Sequence, residues 1–162
     1  MKIFRNFLGV LLILLMASSA WAASSIVGTV KKVQAPGTSA YALEVALVCT
    51  AHTDGVVTAE TVQANISNLA KYPINGLKLH YVQAYPGGTA PTDGSDLTLT
   101  MNGVDILGGR GTDLIDATSY TSCAPGTVGA VGDIVVTGNI TINISNIGNA
   151  GITNIILTFV SD

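Results

Sequence analysis

Charged residues are scarce in this sequence: Asp, Glu, Lys and Arg together make up 10% of its 162 residues. Two of the seven basic residues, Lys2 and Arg5, lie in an amino-terminal segment that we expect to be removed. The remaining chain carries five Lys or Arg against ten Asp or Glu, a net charge of −5. Binding to DNA or RNA requires a dense basic surface. We therefore expect no nucleic-acid partner.

The residue types that build catalytic sites are also rare. The chain has two His, two Cys and one Trp, and Trp21 lies in the same amino-terminal segment. His52 and His80 lack a Gly-x-Ser-x-Gly motif to accompany them, so a Ser–His–Asp triad has no support. Most acidic residues lie in turn sequences, where Asp is favoured because it hydrogen-bonds the local backbone, and no pair stands out as glycosidase carboxylates. We predict that the protein is not an enzyme and needs no cofactor.

The first residues, MKIFRNFLGVLLILLMASSAWAASS, have the three-part organisation of a secretory signal peptide. Two basic residues precede an apolar stretch from Phe7 to Met16, and the small residues of AWA follow. The apolar stretch is shorter than the roughly 20 residues of a membrane span. This predicts a signal peptide at residues 1–22 and a single domain at residues 23–162. The protein is then exported to the periplasm, the cell surface or the medium, with no membrane attachment after cleavage.

Both cysteines, Cys49 and Cys123, lie in the exported part. An even pair in an oxidising compartment predicts a disulfide, which would close a long loop and stabilise the fold by about 2–4 kcal/mol. The alternative is two free thiols or a metal pair, and a metal pair lacks His residues at ligand spacing. We predict the disulfide.

Most of the mature chain alternates apolar and polar residues, which is the period of a half-buried β-strand. The clearest segments are YALEVALVC, GLKLHYVQAY, DLTLTMN, NITINIS and ITNIILTFV. Turn sequences rich in Gly, Pro, Asn and Asp separate them, and ETVQANISNLAKY alone is compatible with a helical turn or two. The pattern predicts an all-β fold, a single antiparallel β-sandwich or jelly roll of about seven to nine short strands.

The stretch PTDGSDLTLTMNGVDILGGRGTD allows two interpretations, a ligand site or the turns of a sheet. Asp93 and Asp96 place carboxylates close together, but the acid spacing and the final Glu of an EF-hand loop are missing. LGGRGTD lacks the Lys-Ser/Thr end of a phosphate-binding loop, and Asn-Gly at 102–103 is typical of a hairpin turn. We predict sheet and turns, with a Ca²⁺ site at Asp93 and Asp96 as the weaker alternative.

INGLKLHYVQAYPGGTAPTDGSDLTLTMNGVDILGGRGTDLIDATS, with the terminal GNITINISNIGNAGITNIILTFV, resembles a family of small proteins encoded among the virion structural genes of tailed bacteriophages and prophages. The shared features over residues 74–160 are a PG…PTD turn, an alternating DLTL strand, a GVDILGG turn and a terminal hairpin. The resemblance implies a non-catalytic β-sandwich in a particle. The predicted signal peptide departs from this family, whose members assemble in the cytoplasm.

These observations favour a non-catalytic secreted or surface structural module. It would assemble with copies of itself or dock on another surface or particle protein, in a filament, a surface layer or a phage-like particle. Unpaired strand edges are natural assembly surfaces, and the strongly apolar terminal strand is our predicted edge. The residues of that strand which we expect at the interface are Ile152, Ile155, Leu157 and Phe159.

The alternative function is that of a secreted carbohydrate- or Ca²⁺-binding β-sandwich module. It would use Tyr85 together with Asp93 and Asp96 in the loops. Sugar-binding surfaces rely on exposed aromatic side chains, and the loss of Trp21 with the signal peptide makes this alternative weaker.

Overall fold

The structure, a computed structural model, describes residues 23–34 and 39–161. The predicted signal peptide at residues 1–22 lies outside the described residues. Strands account for 51% of the described residues and helix for 3%, so the predicted all-β class is confirmed. In the described ranges, no helix has the length and apolar character needed to cross a membrane.

Seven of the strands in the described part have five or more residues, and five have only two or three. In chain order they are β1 (Ser25–Gln34), β2 (Tyr41–Thr50), β3 (Val57–Thr61), β4 (Lys78–Pro86), β5 (Asp96–Met101), β6 (Val104–Asp105), β7 (Thr121–Cys123), β8 (Gly126–Thr127), β9 (Ala130–Val131), β10 (Ile134–Val135), β11 (Ile140–Ser145) and β12 (Ile152–Val160). A 3-10 helix, Val62–Asn65, lies in the segment where the sequence allows a helical turn.

The strands form two main antiparallel sheets. The larger sheet has the order β1-β2-β12-β4, and both β10 and β7 pair with the remaining side of β4. The smaller sheet has the order β3-β11-β5-β6. Strands β8 and β9 form a separate hairpin.

Alternation along the strands explains how the two sheets form one hydrophobic core. In β11, the three Ile residues are buried and the Thr, Asn and Ser residues between them face outward. Leu157 of the larger sheet and Ile142 of the smaller sheet belong to the same cluster of buried side chains. Each such side chain contributes about 1.5–3 kcal/mol when it leaves water. Burial of the two inner faces in a common core is the arrangement of a sandwich-like fold.

The prediction that the terminal strand is an exposed assembly edge is wrong. Strand β12 pairs with β2 on one side and with β4 on the other, so its backbone groups are used on both sides. Ile155, Leu157 and Phe159 are completely buried, and Ile152 is half-buried. The apolar character of this strand reflects a central position over the core. The edges of the larger sheet are β1 on one side and β7 with β10 on the other.

Candidate functional site

The Asn-Gly sequence forms the predicted hairpin turn. Asn102 and Gly103 have φ values of 52° and 79°, the left-handed conformation that a two-residue turn of this type requires. Strand β6 pairs back on β5 directly after it. The carboxylate of Asp105 then accepts hydrogen bonds from the backbone N–H groups of Leu107 and Gly109, at 2.9 and 2.7 Å. This part of the stretch is therefore sheet and turns.

Arg110 binds backbone carbonyl groups. Its Nε donates a hydrogen bond to the Ala124 oxygen at 3.0 Å, and its guanidinium lies 3.5 Å from the Ala130 oxygen. The Gly-rich loop is thereby tied to the segment that carries the β8–β9 hairpin. This contact gives Arg110 a structural role.

The two Asp residues predicted to bind Ca²⁺ lie in the turn before β5 and at the beginning of that strand. One oxygen of Asp96 accepts a hydrogen bond from the Asp113 backbone N–H at 2.9 Å, and the other lies 3.3 Å from the Asn146 side-chain nitrogen. Asp93 is exposed in the turn before β5. Within the described ranges, no three His, Cys, Asp or Glu side chains are grouped so that they could hold a metal ion. A Ca²⁺ site at Asp93 and Asp96 remains a prediction.

Each histidine lies beside one carboxylate at the surface. His80 Nδ1 is 2.8 Å from Asp133 Oδ1, and His52 Nδ1 is 3.2 Å from Asp54 Oδ1. Exposed pairs of this kind contribute little to stability, about 0–1 kcal/mol. These contacts orient the imidazole rings.

The predicted disulfide between Cys49 and Cys123 is wrong, because both cysteines are free. Cys49 is in β2 and Cys123 is in β7, with β12 and β4 between them. Three strand spacings alone separate the two residues by about 14 Å. They also lie at different levels of the sheet, because Cys49 is in register with Pro86 of β4 through Thr153, whereas Cys123 is opposite Val82. A disulfide needs Cα atoms within about 7 Å. Burial, with a smaller contribution from Glu60, raises the pKa of the Cys49 thiol to about 12. Burial also raises the pKa of Cys123.

We expect thiol titration to find two free thiols per chain after unfolding without reductant. In the folded protein, Cys49 should not react with a disulfide reagent near neutral pH, because its raised pKa leaves almost no thiolate and its sulfur is buried. Half-buried Cys123 should react slowly. In a Cys123→Ser variant the folded protein should show no reactive thiol. If the unfolded wild type showed no free thiol, the prediction of a disulfide would be correct after all.

The outer faces of the two sheets differ in chemistry. On the smaller sheet, the outward residues of β5 and β11 are Asp96, Thr98, Thr100, Thr141, Asn143 and Ser145. Such a polar surface is usual for a sheet face in water. We call the side of the larger sheet that faces away from the core the large-sheet outer face. It consists of the odd-numbered residues of β1 and the even-numbered residues of β2 and β12. Strand β4 contributes Lys78, Tyr81, Gln83 and Tyr85 to it. Its outward side chains include Val, Ala, Ile and Tyr.

Valines form an exposed apolar patch on this face. Val27 of β1 is directly opposite Val48 of β2, and their exposed fractions are 63% and 44%. Within the described residues, the charged side chains on this face are Lys31, Glu44 and Lys78. Lys31 Nζ and Glu44 Oε2 lie 4.0 Å apart. The face therefore presents little net charge.

Three tyrosines form a cluster at the β4 and β7 side of the face, which we call the tyrosine cluster: Tyr81, Tyr85 and Tyr120. The rings of Tyr85 and Tyr120 are stacked, with centroids 6.2 Å apart and an angle of 19° between their planes. The hydroxyls of Tyr81 and Ser122 share a hydrogen bond of 2.6 Å. Loss of surrounding water, together with the two neighbouring phenols, raises the pKa of Tyr120.

No protein family, curated protein or solved structure matches the chain. The resemblance to phage virion proteins stays a prediction. Functional inference therefore depends on the chemistry of the two sheet faces and of the tyrosine cluster.

The sequence pointed to Tyr85 as a ligand-binding residue but missed Tyr81 and Tyr120. Tyr81 could have been found, because two-residue periodicity places it on the same side of one strand as Tyr85. Tyr120 carried no such signal. It reaches the cluster because β7 pairs with β4, and nothing local in the sequence indicates that pairing.

Proposed function

We propose that the protein is an exported, non-catalytic structural module that docks through the valine patch of the large-sheet outer face. The observation that carries the proposal is the exposed apolar patch of Val27 and Val48, low in charge, on the outer face of the larger sheet. The contact is made with copies of the same chain or with another surface or particle protein. A filament, a surface layer and a phage-like particle all fit this description.

The contrast between the two outer faces supports docking through this one. Both sheets use their inner faces for the core, so composition on the outside reflects contact with water or with a partner. The smaller sheet presents Thr, Asn, Ser and Asp96 there, whereas the larger sheet presents exposed valines on β1 and β2. Contiguous apolar patches on a soluble domain mark interaction sites. Depletion of charged residues is typical of an interface centre.

The edge strand β1 is less suited to assembly than the face. Its Gly28 carbonyl accepts a hydrogen bond from the Ser67 backbone N–H at 3.2 Å, so part of the edge is occupied. Further along, Lys31 and Lys32 are exposed. Lysines on an edge strand oppose pairing with another chain. Assembly by face packing therefore fits this chain better than addition of a strand.

A charge placed in the valine patch tests the proposal. We expect the purified full chain to self-associate in analytical ultracentrifugation, and Val48→Asp to weaken association by at least about tenfold, because it buries a carboxylate in the contact. Thr98→Asp, on the outer face of the smaller sheet, is the matched control and should associate as the wild type does.

Mass spectrometry of native fractions tests the larger assembly. Peptides of the chain should be enriched in sheared surface filaments or purified particles relative to soluble periplasm and medium. A wild-type protein that stays monomeric at high concentration and is recovered only in soluble fractions would overturn the proposed function.

A further inference from the structure

We infer that the tyrosine cluster is a binding site for a neutral pyranose glycan, a function that goes beyond docking and does not depend on it. The site lies at the β4–β7 side of the large-sheet outer face. Its parts are the stacked pair Tyr85 and Tyr120, the phenol of Tyr81, and the uncharged polar side chains beside them.

The aromatic part of the site is preorganised by strand pairing. Strand β7 pairs with β4 through Ala84 and Thr121, so Tyr85 and Tyr120 are the next opposing pair along the two chains. Stacking between them orders both rings before any ligand binds, while Tyr120 stays 54% exposed. An ordered, exposed aromatic ring provides a flat apolar surface for the carbon–hydrogen face of a sugar ring, and its hydroxyl provides a polar contact.

The polar part of the site carries amides and hydroxyls without charge. Strand register places Gln83 opposite Ser122, Asn154 opposite Tyr85, and Thr158 opposite Tyr81. Amide and hydroxyl groups both donate and accept hydrogen bonds, as the hydroxyls of a sugar require. A ligand with phosphate, sulfate or carboxylate groups would find no cation among these side chains. The uncharged set therefore selects a neutral glycan.

Clustering of these tyrosines is not a consequence of composition. The chain contains five Tyr and only 6% aromatic residues in total, yet three of the five share one corner of one face. Apolar side chains grouped at a surface mark an interaction site, and the uncharged polar side chains beside these rings fit a glycan.

The glycan site and the valine patch lie in one row across the larger sheet. Val27 and Tyr120, at the two ends of the row, are four strand spacings or about 19 Å apart, whereas Val48 and Tyr85 both lie opposite Asn154 and are about 10 Å apart. The valine patch belongs to β1 and β2, and the tyrosine cluster belongs to β4 and the residue before β7. Self-association and glycan binding are measured in separate assays with separate variants, so either can fail while the other is retained.

The test uses the full chain on a printed array of neutral oligosaccharides, α- and β-linked hexoses and N-acetylhexosamines of several units. Affinities for the retained glycans are then measured by calorimetry. We expect binding to at least one neutral glycan, with a loss of at least about tenfold for Tyr120→Ala and for Tyr85→Ala, because the aromatic contact is removed. Tyr120→Phe keeps the ring and should retain most of the affinity. Thr98→Ala, on the smaller sheet, is the control and should bind unchanged.

Three outcomes would overturn the inference. One is the absence of binding to every neutral glycan on the array. Another is wild-type affinity in both Tyr→Ala variants when circular dichroism shows them folded. The third is loss of self-association, with no effect on glycans, in the Tyr120→Ala protein, which would place the cluster in a protein interface. Failure of Val48→Asp to alter association would leave the glycan result untouched.

Discussion

Replacing Phe159 with alanine is expected to lower the free energy of unfolding by about 3–5 kcal/mol, the range for a large aromatic side chain removed from a packed core. Phe159 is fully buried in β12, and its opposing residues are Leu43 of β2 and Leu79 of β4. The cavity would lie beside β2 and β4, and these strands cannot move to fill it without losing their pairing with β12. Domains of this size have roughly 5–15 kcal/mol of stability in total, so the loss should be large in urea or thermal denaturation.

The matched control is Thr158→Ala, which lies next to Phe159 but on the outer face. Its cost should stay within about 0.5–1 kcal/mol, as for most surface substitutions. A Phe159→Ala protein with wild-type stability but altered assembly would contradict the central position of β12 and would support an interface role for the strand.

Alternation alone was enough to predict the type of structure. NITINIS and DLTLTMN became β11 and β5, and each placed its apolar residues in the core and its polar residues outside. Side chains alternate sides along any strand, so this pattern is local and can be read from a single chain. The Asn-Gly turn was also local, because its two residues tolerate the left-handed backbone that the hairpin requires.

Strand order was beyond the sequence, and the two errors follow from it. The terminal strand contains more apolar residues than a half-buried strand needs. This composition is typical both of an edge strand that pairs with another chain and of a central strand over the core. Only its pairing with β2 and β4 decides between them. The two cysteines suggested a disulfide by their number and compartment, but the number of strands between β2 and β7 determines their separation.

The candidate site was predictable only in part for the same reason. The sequence identified Tyr85 as a ligand-binding candidate, and two-residue periodicity would also have placed Tyr81 on the same side of β4. Ser122 lies in a three-residue strand that follows a turn-rich segment, and Tyr120 immediately precedes that strand. Pairing of short strands over long sequence distances has no local signature, so the sequence could not have assembled the complete cluster.

Replacing Gly111 with alanine is expected to destabilise the fold by about 3 kcal/mol or more, at or above the upper end of the usual cost of overpacking. Gly111 is buried, and a Cβ added there would overlap the carbonyl oxygen of Leu97 at the beginning of β5. The overlapped atom belongs to the backbone, so rotation of a side chain cannot relieve the clash. The two segments would have to separate, which breaks the hydrogen bond of 2.8 Å from the Leu97 N–H to the Gly111 oxygen.

Gly88→Ala and Gly132→Ala are the controls for this prediction, because a Cβ at either position meets no atom within 4 Å. Denaturation of the three variants should show a large loss for Gly111→Ala alone. The comparison separates the close approach of two backbones from the general effect of adding a methyl group. That general effect is mildly stabilising, because it lowers the conformational entropy of the unfolded chain. Equal stability of all three variants would mean that the loop of residues 106–115 does not pack against β5 as described, and that the Gly-rich sequence has a role other than close packing.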